Sequence, residues 1–509
     1  MLWREVVAKG EHMLMSAASH QRLRARIAVS LIAAAVSAVT LILWALRVAS
    51  MLHGGGRYDF STYYAAAWAL RHDIHANVYN ATVLAQAGAA AHTFVSPPLP
   101  YTYPPLLAIL LSPFTVLPFK TLAALWLALN CALWLVVAVA LACEIALLLG
   151  GRIHLPDGET AYKRTLTGML ANPIPLVALA LALLLCLPGE PAIQTALTGQ
   201  INLLVLLPLA LVPELERRGH LRWVGAMIAI AAMFKFTPAI LLLYFALRRR
   251  WQVVFAGLAA LAGLVLLCVV VVGPGVALAS VGQALHVGTS DASLGHNEAL
   301  LAPLIGALTA AFPNARPVFQ ALEYVALVTL ALVVGYLIGR RWRPLGIVVA
   351  DHAKDAAGYG MALCALVLVW PTVWVHHYVW ALPAAAIALA LAITWALRPH
   401  AHRGVWRVAL PLLTALCCYL LVVALPYQWD TTASPTETTY LGLLPLWILL
   451  TLRALGTLGL LGILGYWYST AHATTTSSPG ARDMLERPAD SGYTEVNAEN
   501  WQEGIEEGS

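Results

Sequence analysis

Apolar runs of about 20 residues, the length a helix needs to cross a bilayer, recur along most of this chain. They fall roughly at 27–51, 121–149, 171–188, 200–213, 251–273, 319–339, 359–374, 378–398, 406–425 and 440–468. None alternates apolar and polar positions as a membrane-barrel strand does. Backbone groups inside lipid must then be satisfied within helices. The pattern predicts an all-α polytopic membrane protein with about 10–13 membrane helices and a long first outer loop carrying juxtamembrane helices.

Three apolar stretches do not fit as full crossings. Segment 104–118 is short and interrupted by Pro113, and 298–312 is equally short. Segment 222–247 has basic residues at both ends and the sequence FKFTP at 234–238 in its middle. Halves of about 12 residues reach only ~18 Å. This stretch is read as a helical hairpin with Lys235 at its turn.

Lys and Arg collect in cytoplasmic loops. Here they mark 1–26, 151–164, 216–222, 247–251, 340–354 and 398–407. With the ten runs alternating, every one of these loops and both termini fall on the cytoplasmic side. Asp59, residues 198–202, Lys235, residues 296–298 and residues 374–378 then fall on the outward side. Polar residues gathered at one end of apolar helices predict a membrane-embedded site facing outward.

Composition agrees with the pattern. The chain is 60% hydrophobic and 11% charged, with a mean hydropathy of +0.76, where a soluble domain is about a quarter charged. The net charge of +5 matters less than where the basic residues lie. All seven Cys sit inside apolar runs without a CxxC spacing, which reads as core packing. No nucleotide-binding Gly loop or soluble domain is found, and no nucleic-acid partner is expected. Residues 1–26 read as a basic cytoplasmic N-terminus, 27–468 as the membrane domain, and 469–509 as a disordered acidic cytoplasmic tail.

Within the first outer loop, 52–104, Asp59 precedes FSTYYAAAWALR. It has two readings: a general base for an attacking hydroxyl, or the N-cap of an amphipathic interfacial helix with Phe60, Tyr63, Tyr64, Ala67 and Trp68 on one face. His376 and His377 point ~100° apart on a helix, so they cannot share one metal in the usual i, i+4 manner. They suit an anion, or else lie solvated at the headgroups beside an aromatic belt of Trp370, Trp374, Tyr378 and Trp380. A membrane-embedded Lys235 needs an anionic partner or a path to the surface. Gln200 and Asn202 suit either sugar hydroxyls or helix capping, and Tyr103 with Pro104 and Pro105 opens a short helix.

The order of these motifs carries a resemblance. Tyr58-Asp59-Phe60 with Tyr63-Tyr64 is followed by Tyr103-Pro104-Pro105, Gly199-Gln200-x-Asn202, Lys235-x-x-Pro238, His296-Asn297-Glu298 and Pro371-x-x-Trp374-x-His376-His377-Tyr378. Over about residues 27–400 this resembles glycosyltransferase family 87, the polyprenol-phosphate-mannose-dependent α-mannosyltransferases of the GT-C class. The chain departs from the family pattern at 297–299, with Asn-Glu-Ala where Asn-Gln-Ser is usual.

The resemblance implies a GT-C-type membrane glycosyltransferase in the bacterial inner membrane, its site facing the periplasm or exterior. A sugar, mannose above all, would pass from a polyprenyl-phosphate donor to a lipid or glycan acceptor with inversion. Asp59 would be the base, and Lys235, His376 and His377 would hold the donor phosphate. Tyr63, Tyr103, Gln200, Asn202, Asn297 and Glu298 would contact substrate. No D-x-D pair is present to hold a metal, and the expected reaction uses neither metal nor cofactor, the polyprenyl-phosphate sugar being a substrate. Two alternatives stand: a transferase of the same class using a pentose donor of the arabinose type, and a lipid-linked sugar flippase or transporter.

Overall fold

The structure, a computed structural model, describes residues 2–53, 58–95, 98–150, 172–289, 297–340, 352–397, 405–422 and 446–470. All regular structure among them is helical. In chain order the helices are α1 (Leu2–His53), α2 (Tyr58–His72), α3 (Ala81–Ala90), α4 (Leu106–Leu111), α5 (Phe119–Leu148), α6 (Ile174–Cys186), α7 (Glu190–Thr198), α8 (Asn202–Arg217) and α9 (Leu221–Phe234). Then follow α10 (Leu241–Leu247), α11 (Trp251–Val272), α12 (Pro274–Thr289), α13 (Ala302–Ala311), α14 (Arg316–Arg340), α15 (His352–Leu368), α16 (Leu382–Leu397), α17 (Trp406–Val422) and α18 (Leu446–Thr470). Short 3-10 turns at Ser112–Val116, Thr237–Ile240 and Val375–Ala381 join α4 to α5, α9 to α10 and α15 to α16.

Among the described residues, five helices are long and apolar enough to cross a membrane. A sixth span forms if α6 and α7, bent by 60° at residues 187–189, count as one. Pro188 and Pro191 explain that break, because neither can donate a helical hydrogen bond. The other apolar helices of 10–17 residues include α4 with its 3-10 extension, α9, α10, α13 and most of α17. The chain is an all-α polytopic membrane protein.

Polar contacts define two ends of the bundle. Lys235, after α9, meets Asn202 at the start of α8. Arg248, after α10, meets Glu216 near the end of α8. The stretch 221–247 therefore leaves one end of α8, reaches the other and returns, which makes it a helical hairpin. Pro238 at the start of the 3-10 turn stops α9 from continuing, and Lys235 caps it with extended backbone (φ −153°, ψ 127°).

The far end, opposite Lys235, is tied by charges. Arg248 donates to Glu216 at 3.1 Å and to the Tyr244 hydroxyl at 2.8 Å, and it also pairs with Asp355. His352 on α15 lies 3.0 Å from Glu144 on α5. Thr394 on α16 donates to the Leu148 carbonyl at the end of α5.

Helix α2 departs from the interfacial reading. Phe60, Tyr63, Tyr64 and Ala67 are all buried within the protein, because α3, α4 and the Ser112–Val116 turn pack around α2. Its aromatic face meets protein, not headgroups. The cap reading changes as well: α2 begins at Tyr58, so Asp59 sits in its first turn.

Contacts divide the chain into Met1–Tyr468 and Ser469–Ser509. The expected acidic tail lies outside the described residues beyond Thr470, as do loop 151–164, most of 340–354 and His296.

Candidate active site

Four separate stretches bring their polar residues to the Lys235 end. The first is α2. Phe60 stacks on Trp126 of α5 with ring centroids 5.4 Å apart, and the Trp126 indole donates to the Gly199 carbonyl at 2.8 Å. Gly199 caps α7 in the left-handed region, φ +72°, and a Cβ there would lie 2.8 Å from the Phe60 Cβ. Only glycine meets both demands without strain. This packing sets Gln200 beside Asp59.

Gln200 is the next part. Its Oε1 accepts from the hydroxyls of Tyr63 at 3.1 Å and Tyr103 at 3.3 Å. Both phenols are buried, which keeps them protonated and donating. With Oε1 taken twice, the amide hydrogens are what Gln200 has left for the Asp59 carboxylate. Burial pushes the Asp59 carboxyl up to about 6, and hydrogen bonds from Gln200 and Thr198 and the charge of Lys235 oppose that rise. A carboxylate poised near neutrality, still partly open to its surroundings, is suited to accept a proton.

Opposite it stands Lys235. Its Nζ is 3.4 Å from Asn202 Oδ1 and 2.6 Å from His377 Nε2. It also lies 4.9 Å from the Trp380 ring centre and 5.7 Å from that of Tyr103. The Trp374 backbone N–H donates to His377 Nδ1 at 3.2 Å. A neutral ring therefore carries its hydrogen on Nε2, facing the lysine. Two positive charges 2.6 Å apart would repel by about 6 kcal/mol at an effective dielectric of 20. Both groups can be charged together only beside an anion. The arrangement has the donor groups that an anion would need.

His376 and His377 are both buried, their rings edge-to-face at 4.6 Å. Trp380 is also buried and stacks on His377 at 5.2 Å. These residues sit inside the protein, so the headgroup-belt reading does not hold for them. The 3-10 form of Val375–Ala381 explains the stack, since positions i and i+3 eclipse there.

Several expected substrate contacts have another role. Asn202 donates to the His376 carbonyl at 2.8 Å and accepts from Lys235, so it orients the cation and the histidine turn. Asn297 donates to the Pro371 carbonyl at 2.8 Å and accepts from the backbone N–H groups of Val373 and Ala299. Glu298 is held by Arg453 of α18 at 2.7 and 2.8 Å. Asn297 and Glu298, expected to contact substrate, bond through their side chains to the protein. Arg453 escaped the sequence reading, although a charged residue inside an apolar run is itself a signal.

Comparison with known proteins follows the same lines. Residues 101–371, more than half of the chain, match the family model described as glycosyltransferase family 87. That match begins after Asp59 and ends before His376, so those positions rest on the geometry. The chain is 29% identical over 370 residues, 68% of its length and 73% of the relative's, to a polyprenol-phosphate-mannose-dependent alpha-(1-2)-phosphatidylinositol mannoside mannosyltransferase of Mycolicibacterium smegmatis. It is 32% identical over 180 residues, 34% of its length and 38% of the relative's, to a protein of the same name from Mycobacterium tuberculosis. A phosphatidylinositol pentamannoside mannosyltransferase of M. smegmatis is 27% identical over 70% of this chain and 76% of its own. No solved structure matches significantly.

Proposed function

Given that this chain belongs to glycosyltransferase family 87 and is a membrane glycosyltransferase, we propose that it transfers mannose from a polyprenyl-phosphate donor to a hydroxyl of a lipid or glycan acceptor. The donor class and the sugar follow the relatives' names. The observation that carries the reading is the convergence of Asp59, Gln200, Lys235 and His377 from four distant stretches into one site. A carboxylate on one side and a lysine with a histidine N–H on the other support a base facing a bound phosphate.

In this reading the donor phosphate lies against Lys235, His376 and His377. The acceptor oxygen attacks the anomeric carbon while the bond from that carbon to the phosphate oxygen breaks. Asp59 takes the acceptor's proton, and the electron pair leaves on polyprenyl phosphate, whose added charge Lys235 and His377 stabilise. One displacement with one base inverts the anomeric centre. No covalent intermediate forms.

The site is assigned to the outward face of a bacterial inner membrane, with 27–468 as the catalytic domain and the termini cytoplasmic. The support is that Arg217, Arg218, Arg248, Arg249 and Arg250 all lie at or beside the end opposite Lys235.

The test is transfer of labelled mannose from a short-chain polyprenyl-phosphate mannose by the purified chain, with a membrane lipid extract as acceptor. Wild type is expected to transfer. Asp59→Asn is expected to lose about 10²–10⁴-fold in kcat while still binding donor, as removal of a general base does. Equal transfer by both would refute the base; no transfer by either would move the reading to another donor or to lipid-linked sugar transport.

A further inference from the structure

The buried pair Glu298–Arg453 lies outside the reacting groups, yet the backbone of Glu298 bonds on both sides of the histidine turn. Arg453 Nη1 meets Glu298 Oε1 at 2.7 Å and Oε2 at 2.8 Å, with both side chains essentially unexposed. The Glu298 backbone N–H donates to the Val373 carbonyl at 2.6 Å. Its carbonyl accepts from the Tyr378 hydroxyl at 2.5 Å. Asn297 adds bonds to the Pro371 carbonyl and the Val373 N–H, each at 2.8 Å.

Positions 371–373 and 378 are thus fastened to residues 297–298, and His376 and His377 lie between the fastened points. Arg453 comes from a different element. Helix α18 packs on α17, where Gly456 and Gly459 approach Cys417, and on α15, where Tyr468 and Leu464 meet Gly358 and Gly360. An ion pair formed 155 residues apart therefore joins residues 297–298 to α18 and the helices it packs on.

We propose that Arg453 is a positioning residue for the donor-phosphate site, acting through Glu298 to hold His376 and His377 in register with Lys235. The physical reason is the asymmetry of buried charge. With its guanidinium removed, the buried Glu298 carboxylate loses the positive charge that faces it and is driven to seek water or a proton. Either response shifts the backbone on which Val373 and Tyr378 depend. His377 then loses the geometry that sets its Nε2 at 2.6 Å from Lys235. The assignment of this turn to donor phosphate rests on the function proposed above; the mechanical link does not.

The experiment is hydrogen exchange of the full-length protein in detergent, read by mass spectrometry, on wild type, Arg453→Gln and the double variant Arg453→Met/Glu298→Gln. Thermal unfolding serves as a control for folding. The expected result for folded Arg453→Gln is exchange at least about tenfold faster in 371–378, the change that loss of one charge-assisted bond would produce, with exchange around Arg248 unchanged. Donor KM in the transfer assay is expected to rise by a similar factor with kcat changed less.

Should Arg453→Gln fail to fold, the double variant decides, since it removes both charges together. Faster exchange confined to 371–378 in that variant supports the link. Unchanged exchange in 371–378 of a folded variant overturns it, as does an equal increase across the whole molecule. A wild type that transfers no mannose refutes the functional reading and leaves the exchange comparison to decide the link on its own.

Discussion

Lys235 Nζ lies 2.6 Å from His377 Nε2, joining a hairpin turn to a 3-10 turn 142 residues further along the chain. The contact brings together two groups that can both be cations, and its neighbours do not neutralise it directly. Asn202 offers one carbonyl oxygen at 3.4 Å, while Tyr103 and Trp380 offer only ring faces. Asp59 supplies attraction from across the site. Geometry of this kind suits an anion, which supports the proposed placement of the donor phosphate.

Replacing Lys235 by Met should therefore weaken donor binding more than it alters folding. A lost hydrogen bond to a charged group is worth about 1.5–3 kcal/mol, so donor KM should rise about 10–100-fold. Titration with polyprenyl phosphate, which carries the phosphate without the sugar, checks this: affinity should fall by the same factor. Unchanged affinity would remove Lys235 from the phosphate site.

The pH profile tests Asp59 and Gln200 together. A base works only when ionised, so kcat/KM should fall as pH drops through about 6, the value to which burial raises this carboxyl. The Gln200 hydrogen bond favours the ionised form. Gln200→Leu removes it, and the inflection should move to higher pH. A profile flat from pH 5 to 8 in both proteins would mean that another group takes the proton.

Gly199→Ala probes the packing beneath the base. The left-handed backbone costs about 1–2 kcal/mol for a residue with a side chain, and the new Cβ would crowd Phe60 as well. Gly219 has a similar φ of +75° but open space around it. Gly219→Ala should lower the unfolding temperature slightly and leave kcat alone. Gly199→Ala should lower both, since Phe60 adjoins Asp59; equal kcat in the two variants would break the connection between this packing and catalysis.

Arg248→Met probes the opposite end. Breaking a buried ion pair by removing one partner costs about 3–5 kcal/mol, and Arg248 serves Glu216 and Asp355 at once. A markedly lower unfolding temperature is expected, with donor KM unchanged in the protein that remains folded. A raised KM would show that the hairpin's base and its tip are coupled.

The sequence alone determined that this is an all-helical polytopic membrane protein, because bilayer thickness and backbone solvation act on each segment separately and composition reports them directly. It also placed the break at Lys235, since Pro238 stops a helix wherever it falls, and it predicted Asp59, Gln200, Lys235 and His377 at one end. Tertiary structure decided which of those residues touch. Nothing local to Glu298 names Arg453 as its partner 155 residues away, and nothing in the Tyr63-to-Tyr103 stretch says that both phenols converge on Gln200. Helix periodicity records which residues face inward, but the identity of the facing group is set by how α18 lies on α17 and how α2 is enclosed. For that reason Asn202, Asn297 and Glu298 read as substrate contacts along the chain and become, once folded, the supports that hold the histidine turn against Lys235.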